Sequence, residues 1–215
     1  MIVALSGTDG AGKTIISQEM VKKLNNRGFK SKYFYIGDYF LLSGIVKLLH
    51  FFYNFFKREK NKVNPFLGTN KKPALLQFWL LFTVLDNFLN YFRLSLYSRL
   101  GYIVICDRYF YDKLVGFEYH GYSNRLLSWL YLKLTPIPDI TFILDVDEKT
   151  SQKRETHGQH SLEFYKQIRK KYYQLQKMIK CKVINVGDKH KSQALEEVLS
   201  FFIKIYSSSK DGLNF

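Results

Sequence analysis

The sequence predicts an α/β chain: a five-stranded parallel sheet in three layers, flanked by helices. Three observations carry this reading. Five short apolar runs, at residues 2–6, 31–36, 102–106, 140–144 and 182–186, alternate with longer stretches of helical periodicity. The runs at 2–6, 102–106 and 140–144 are near-continuously apolar, as strands covered on both faces are. A glycine-rich turn links the first run to the first helical stretch.

Each element has a local reason. Residues 2–6 (Ile, Val, Ala, Leu, Ser) form a buried strand that ends at Gly7. From Thr14 to Arg27, Ile15, Ile16, Met20, Val21 and Leu24 share one helical face, and Asn25, Asn26 and Gly28 end it. The second strand, 31–36, closes at Gly37. Residues 39–56 are apolar and aromatic, and Lys57, Arg58, Lys60 and Lys62 follow. Residues 64–73 form a loop by composition, and an apolar helix spans 74–100. The third strand, 102–106, leads into Asp107. Residues 109–134 are helical with a break near Gly121, and Pro136 and Pro138 forbid regular structure in the connector. The fourth strand leads into Asp145. Helices follow at 148–154, 162–179 and, after the fifth strand, 192–206. No linker or repeat divides the 215 residues, so one domain is expected over 1–215, with a short lid at about 154–162 and an unusual apolar and basic segment at about 37–73.

The chemistry is most legible at residues 7–14. Gly7, Thr8, Asp9, Gly10, Ala11, Gly12, Lys13 and Thr14 fit G-x-x-x-x-G-K-[ST], between an apolar strand and an amphipathic helix. Glycines let backbone N–H groups turn toward phosphates, and the following helix points its positive end at them. Lys13 reaches the β- and γ-phosphates, and the Thr14 hydroxyl suits Mg²⁺. The reading is a P-loop NTPase fold that binds ATP with Mg²⁺. Asp107 and Asp145 both end strands, and either suits the second metal-orienting position. Arg108, next to Asp107, suits the clamping of an acceptor phosphate in fork geometry.

These residues resemble the thymidylate kinase family. The loop 7–14 is similar to that family's P-loop, including the acid at Asp9. Ile105, Cys106, Asp107, Arg108 and Tyr109 resemble its Asp-Arg-Tyr motif, 138–146 its fourth strand, and 163–172 the helix after its lid. The resemblance implies a nucleoside monophosphate kinase carrying the γ-phosphoryl group from ATP·Mg²⁺ to dTMP. It implies that Gly7, Asp9, Gly10, Ala11, Gly12, Lys13 and Thr14 hold the donor phosphates, and that Thr14 and Asp107 serve the metal. Asp9 and Arg108 would meet the acceptor, and Arg154 would lie against the adenine at the opening of the lid. The catalytic set is Lys13, Asp107, Arg108 and Arg154. The sequence departs from the family in three places. Residues 36–40 carry no Glu-Pro-Gly-Gly-like stretch. Phe78 or Phe82 offers a ring to the acceptor base, but Asp86 or Asn87 stands where the family has a base-reading arginine. A carboxylate cannot donate to a carbonyl; Asp86 either reads the acceptor or pairs with Arg93 or Arg99. The lid lacks the family's further catalytic arginine, leaving Arg154 or Lys153 as substitutes.

Composition bounds the remaining functions. A formal net charge of +15 attracts anions, but no nucleic-acid motif is present and no nucleic-acid partner is expected. Cys106 and Cys181 have neither metal-ligand nor disulfide-framework spacing. With the glycine-rich loop at residue 7 no usual secretory signal fits, and the cytoplasm is expected. The blocks 39–56 and 74–92 approach membrane-spanning length, yet Lys47, His50, Asp86 and three amides interrupt them. The first block suits core or acceptor-site wall, a homodimer interface or a membrane surface, in that order. Two alternatives to dTMP remain: another phosphorylated acceptor at a membrane, and a non-enzymatic nucleotide- or polyanion-binding module.

Overall fold

The computed structural model describes residues 1–38, 74–155, 160–187 and 191–211, with side chains throughout these stretches except at 74–82 and 209–211. The expectations placed on residues 39–73 and 156–159, and on the side chains of Phe78 and Phe82, lie outside the described residues. The elements run β1 (Ile2–Gly7), α1 (Lys13–Asn26), β2 (Ser31–Tyr35), α2 (Ala74–Arg99), β3 (Ile103–Asp107), α3 (Phe110–Tyr119), α4 (Arg125–Leu134), β4 (Ile140–Asp145), α5 (Glu148–Arg154), α6 (Leu162–Leu175), β5 (Lys182–Asn185) and α7 (Lys191–Asp211).

The five strands form one parallel sheet in the order β2-β3-β1-β4-β5. The two-residue strand period explains the three layers. Val3 and Leu5 face one side with Ile105, Phe142 and Leu144, packed under Ile16, Met20 and Leu24 of α1 and Val198, Leu199 and Phe202 of α7. Ile2 and Ala4 face the other side with Val104, Cys106 and Ile143, under residues of α2, α3, α4 and α6. The expected α/β three-layer architecture is the observed one.

Two local expectations need correction. Ile15 was placed on the buried face of the first helix, but it is 44% exposed. Starting at Lys13, the helix turns Ile16, Ser17, Met20 and Leu24 inward, and Ile15 instead borders the cleft above the loop. The helix expected over 162–179 ends at Leu175. Turns follow, with Lys177 N bonded to Gln174 O and Met178 N to Leu175 O, and they lower the chain into β5.

The order β3-β1-β4 makes β1 the strand where the sheet's winding reverses, and ligands of open α/β sheets collect at the carboxyl end of such a strand. Pairing of Leu5 with Asp107 and of Gly7 with Leu144 delivers the ends of β3 and β4 to that point.

Candidate active site

The glycines of the loop are dictated by its neighbours. A Cβ on Gly7 would lie 2.2 Å from the Leu144 carbonyl oxygen, and one on Gly10 would lie 2.8 Å from that of Ser151. Both residues have positive φ, +144° and +78°, which side chains disfavour. The loop is therefore pressed between β4 and α5. Ser151 ties it down, its hydroxyl donating to the Asp9 carbonyl at 2.9 Å.

Lys13 is buried, and its Nζ donates to the carbonyls of Gly7 and Thr8, both at 2.8 Å. Its Asp9 contact is longer, 3.4 Å. Burial, then the like charge of Arg108, pull its pKa below the ordinary lysine range. Arg108 donates from Nη2 to Asp9 Oδ1 at 2.5 Å. Burial opposes its charge, but Asp112 and Asp9 outweigh burial and raise its pKa. Asp9 thus lies between two cations. Its own burial works against its charge, and Lys13 and Arg108 nonetheless hold its pKa below the usual carboxylate range.

Of the two strand-end acids, the structure joins one to the loop. Thr14 Oγ1 donates to Asp107 Oδ2 at 2.7 Å, and the Tyr33 hydroxyl donates to the same oxygen at 2.8 Å. Asp107 Oδ1 is buried without a hydrogen-bond partner. A hydroxyl beside a carboxylate with an unsatisfied oxygen is a hard-oxygen donor set, which fits Mg²⁺ held mainly through phosphates and water. Among the described residues no cluster of three or more acids, histidines or cysteines forms an all-protein metal cage. Asp145 is committed elsewhere, in a bidentate pair with Arg169 at 2.8 Å for both bonds.

Arg108 has φ +66°, the one positive value on a non-glycine residue among the described residues. A left-handed turn on such a residue costs about 1–2 kcal/mol and persists only where its surroundings fix it. Arg108 N donates to Leu5 O at 2.9 Å, which pins the turn to β1. Gly37 leaves room for the side chain, since a Cβ there would lie 2.9 Å from Arg108 Cδ.

The residue that fixes this turn, Asp112, escaped the sequence reading. Its Oδ2 accepts from Tyr109 N at 2.8 Å and from the Ser6 hydroxyl at 2.6 Å; its Oδ1 accepts from the Tyr172 hydroxyl at 2.7 Å. One carboxylate therefore joins the end of β1, the start of α3 behind Arg108, and α6. Its signal was an acid three residues into a helix, the back-capping position of a capping box.

Arg154 borders the same cleft of about 490 Å³ as Asp9, Lys13, Thr14 and Arg108. Its guanidinium donates to the carbonyls of Val186 and Gly187 at 3.2 and 3.1 Å, which ties α5 to the end of β5. Asp86 is buried, and its ionic partner is neither Arg93 nor Arg99, as the sequence suggested, but Lys113 of α3 at 3.4 Å. The Lys113 ammonium also donates to Asn87 Oδ1 at 3.3 Å, and Asn87 Nδ2 donates to the Tyr131 hydroxyl at 2.7 Å. Asp86 and Asn87 are thus neighbours through a lysine that the sequence reading did not single out. Burial lowers the pKa of that lysine, against the opposing pull of Asp86 and of Asp38 at the end of β2.

Known proteins resemble the chain over most of its length. The thymidylate kinase family model matches residues 91–198, from the second half of α2 into α7. A probable thymidylate kinase of Archaeoglobus fulgidus is 27% identical over 176 residues, 79% of each chain. One from Methanosphaera stadtmanae is 29% identical over 181 residues, 82% of this chain and 84% of the relative. One from Staphylothermus marinus is 31% identical over 156 residues, 71% of this chain and 66% of the relative.

Proposed function

The chain belongs to the thymidylate kinase family, and from that premise we propose that its cleft carries the γ-phosphoryl group of ATP to dTMP, giving ADP and dTDP. The observation that supports this most is the pairing of two cation sites on one cleft: the loop lysine, Lys13, and the acceptor-side arginine, Arg108, on either side of Asp9.

Gly7, Gly10, Ala11 and Gly12 present amides to the donor phosphates, and Lys13 leaves its two carbonyl acceptors to bind them. Thr14 and Asp107 would hold Mg²⁺, which would supply neutralising charge to the donor phosphates when bound. Arg108 exchanges Asp9 for the acceptor phosphate, and Asp9 is then released toward the acceptor sugar. Asp86 and Asn87, joined through Lys113, take the base side of the acceptor site. Arg154, at the start of the lid, lies on the adenine side. Rate enhancement comes from positioning and charge, since phosphoryl transfer asks little covalent work of the protein.

The partner and place follow the same reading. Leu85, Phe88, Leu89, Phe92 and Leu96 are exposed along α2 at helical spacing, and this stripe is the homodimer face. Among the described residues no helix is long and apolar enough to cross a membrane, and the reaction takes place in the cytoplasm.

The test is a coupled assay of ADP release with ATP, Mg²⁺ and a panel of deoxynucleoside monophosphates. Lys13→Ala keeps the fold and loses transfer. Unchanged turnover in that variant, or no preference for dTMP in the wild type, refutes the proposal.

A further inference from the structure

The topology gathers a second surface at the edge of the sheet opposite the cleft. In a parallel sheet every turn that leads into a strand lies at the same edge. Here those turns are 27–30 before β2, 99–102 before β3, 134–139 before β4 and 176–181 before β5. Strands stand about 4.8 Å apart, so the turns before β3, β4 and β5 fall within a strip of about 14 Å.

These turns share a composition that the kinase does not use. Leu100 is 68% exposed, Ile137 76%, Met178 49% and Leu134 40%. Three of the four apolar tips stand beside an exposed cation in sequence: Arg99 before Leu100, Lys133 before Leu134, Lys177 before Met178, with Lys180 just beyond; Ile137, between two prolines, meets Lys133 and Lys180 only across the groove below. Arg27 and Lys30 add exposed charge before β2. The one acid in the four turns, Asp139, is occupied, its Oδ2 accepting from Ile2 N at 2.6 Å. Trp129 and Ile137 border a groove of about 460 Å³ with Met178, Lys133 and Lys180, so the turns before β4 and β5 form one surface.

We propose that this edge is a docking face for an anionic membrane surface, with Leu100, Leu134, Ile137 and Met178 as shallow apolar anchors and Arg99, Lys133, Lys177 and Lys180 as partners of lipid phosphates. Aliphatic tips flanked by cations suit a headgroup layer, where apolar burial and attraction to anionic lipid add. Single-stranded nucleic acid calls instead for stacking aromatics along a basic groove. The docked protein leaves the cleft facing water, because the cleft lies at the carboxyl ends of the same strands.

Co-sedimentation of the full chain tests this, with vesicles of phosphatidylcholine alone and of equal parts phosphatidylcholine and phosphatidylglycerol. Binding to the anionic vesicles and not to the neutral ones is expected, weakening as salt rises. Each of Arg99→Gln, Lys177→Gln and Lys180→Gln lowers the partition coefficient roughly fivefold. Leu100→Ser with Ile137→Ser lowers it further, while turnover of ATP and dTMP without vesicles stays at the wild-type value. Equal binding to both vesicle types overturns the proposal. So does anionic binding that all these variants leave intact, which places it in another segment. Tighter binding through the same residues to a DNA duplex than to the vesicles overturns it in favour of a nucleic acid.

Discussion

Asp112 is the residue on which the site's geometry can be tested most sharply, by comparing two substitutions. Its carboxylate receives three hydrogen bonds, of 2.6, 2.7 and 2.8 Å, from the Ser6 hydroxyl, the Tyr172 hydroxyl and Tyr109 N. All three donor residues are buried. In Asp112→Ala each donor loses its acceptor, and a buried donor left unsatisfied costs about 1–3 kcal/mol. The sum, taken at the low end because Asp112 is itself only half-buried, is about 3–5 kcal/mol. At roughly 2–4 °C per kcal/mol for a chain of this size, the midpoint of thermal unfolding falls by about 6–20 °C. Asp112→Asn behaves differently. Its amide oxygen can face Ser6 and Tyr109 N while its NH₂ donates to the Tyr172 oxygen, so the loss is limited to charge assistance, about 1–1.5 kcal/mol. Urea unfolding of both variants, read by tryptophan fluorescence, measures the difference. Equal stability of the two would refute the claim that this carboxylate braces the Arg108 turn through its acceptor oxygens.

The other predictions concern the remaining charged groups. Lys113→Met removes the α3 ammonium from the buried Asp86 and destabilises by up to about 3–5 kcal/mol, whereas Asp86→Leu with Lys113→Met recovers most of that loss in the same urea assay. Asp107→Asn raises the Mg²⁺ concentration for half-maximal turnover about ten- to hundredfold, because it weakens the carboxylate beside Thr14; a titration of activity against Mg²⁺ reads this. Burial and Arg108 lower the Lys13 pKa, so its ammonium is lost at a lower pH than that of an exposed lysine. The alkaline limb of kcat/KM for ATP therefore sets in below the ordinary lysine range, and a pH profile that stays flat up to that range would count against the assignment.

The fold was legible because it depends on a pattern that survives in one dimension. Strands buried on both faces must be apolar nearly throughout, and β1, β3 and β4 are, while the edge strands β2 and β5 carry Lys32, Lys182 and Asn185. The phosphate loop was legible for a similar reason, since Gly7 and Gly10 answer to carbonyl oxygens 2.2 and 2.8 Å from where a Cβ would stand. Partnerships between elements were not legible. Asp107 and Asp145 look alike at strand ends; the family resemblance already favoured Asp107 beside Thr14, but the pairing of Asp145 with Arg169 appears only in the third dimension. Asp86 found its cation 27 residues away on α3 rather than on its own helix. Asp112 reads as an ordinary first-turn acid until Ser6 and Tyr172, 106 and 60 residues distant, converge on it. Helical spacing also misplaced Ile15, because the apolar face of α1 widens at the cleft, where an exposed side chain borders the ligand space instead of the core.

The resting charges of the cleft constrain how it binds its substrates. Lys13 is held by two backbone carbonyls and Arg108 by Asp9, so neither cation waits in open solvent. Binding a phosphate is then an exchange of acceptors, and its net gain is the difference between the new contacts and those given up. Lys13 gives up two neutral carbonyls, of Gly7 and Thr8, and a long 3.4 Å contact with Asp9, whereas Arg108 gives up a 2.5 Å bond to that same carboxylate. Asp9 is charged, and a charge-assisted bond is about twice as strong as a neutral one. The donor side should therefore open more readily than the acceptor side. Arg108 leaves Asp9 most readily for a ligand that is a dianion and also satisfies the released carboxylate. A nucleoside monophosphate does both at once if its phosphate takes the arginine while its sugar hydroxyl donates to Asp9. A free phosphate ion cannot, and this asymmetry selects an acceptor with a sugar attached.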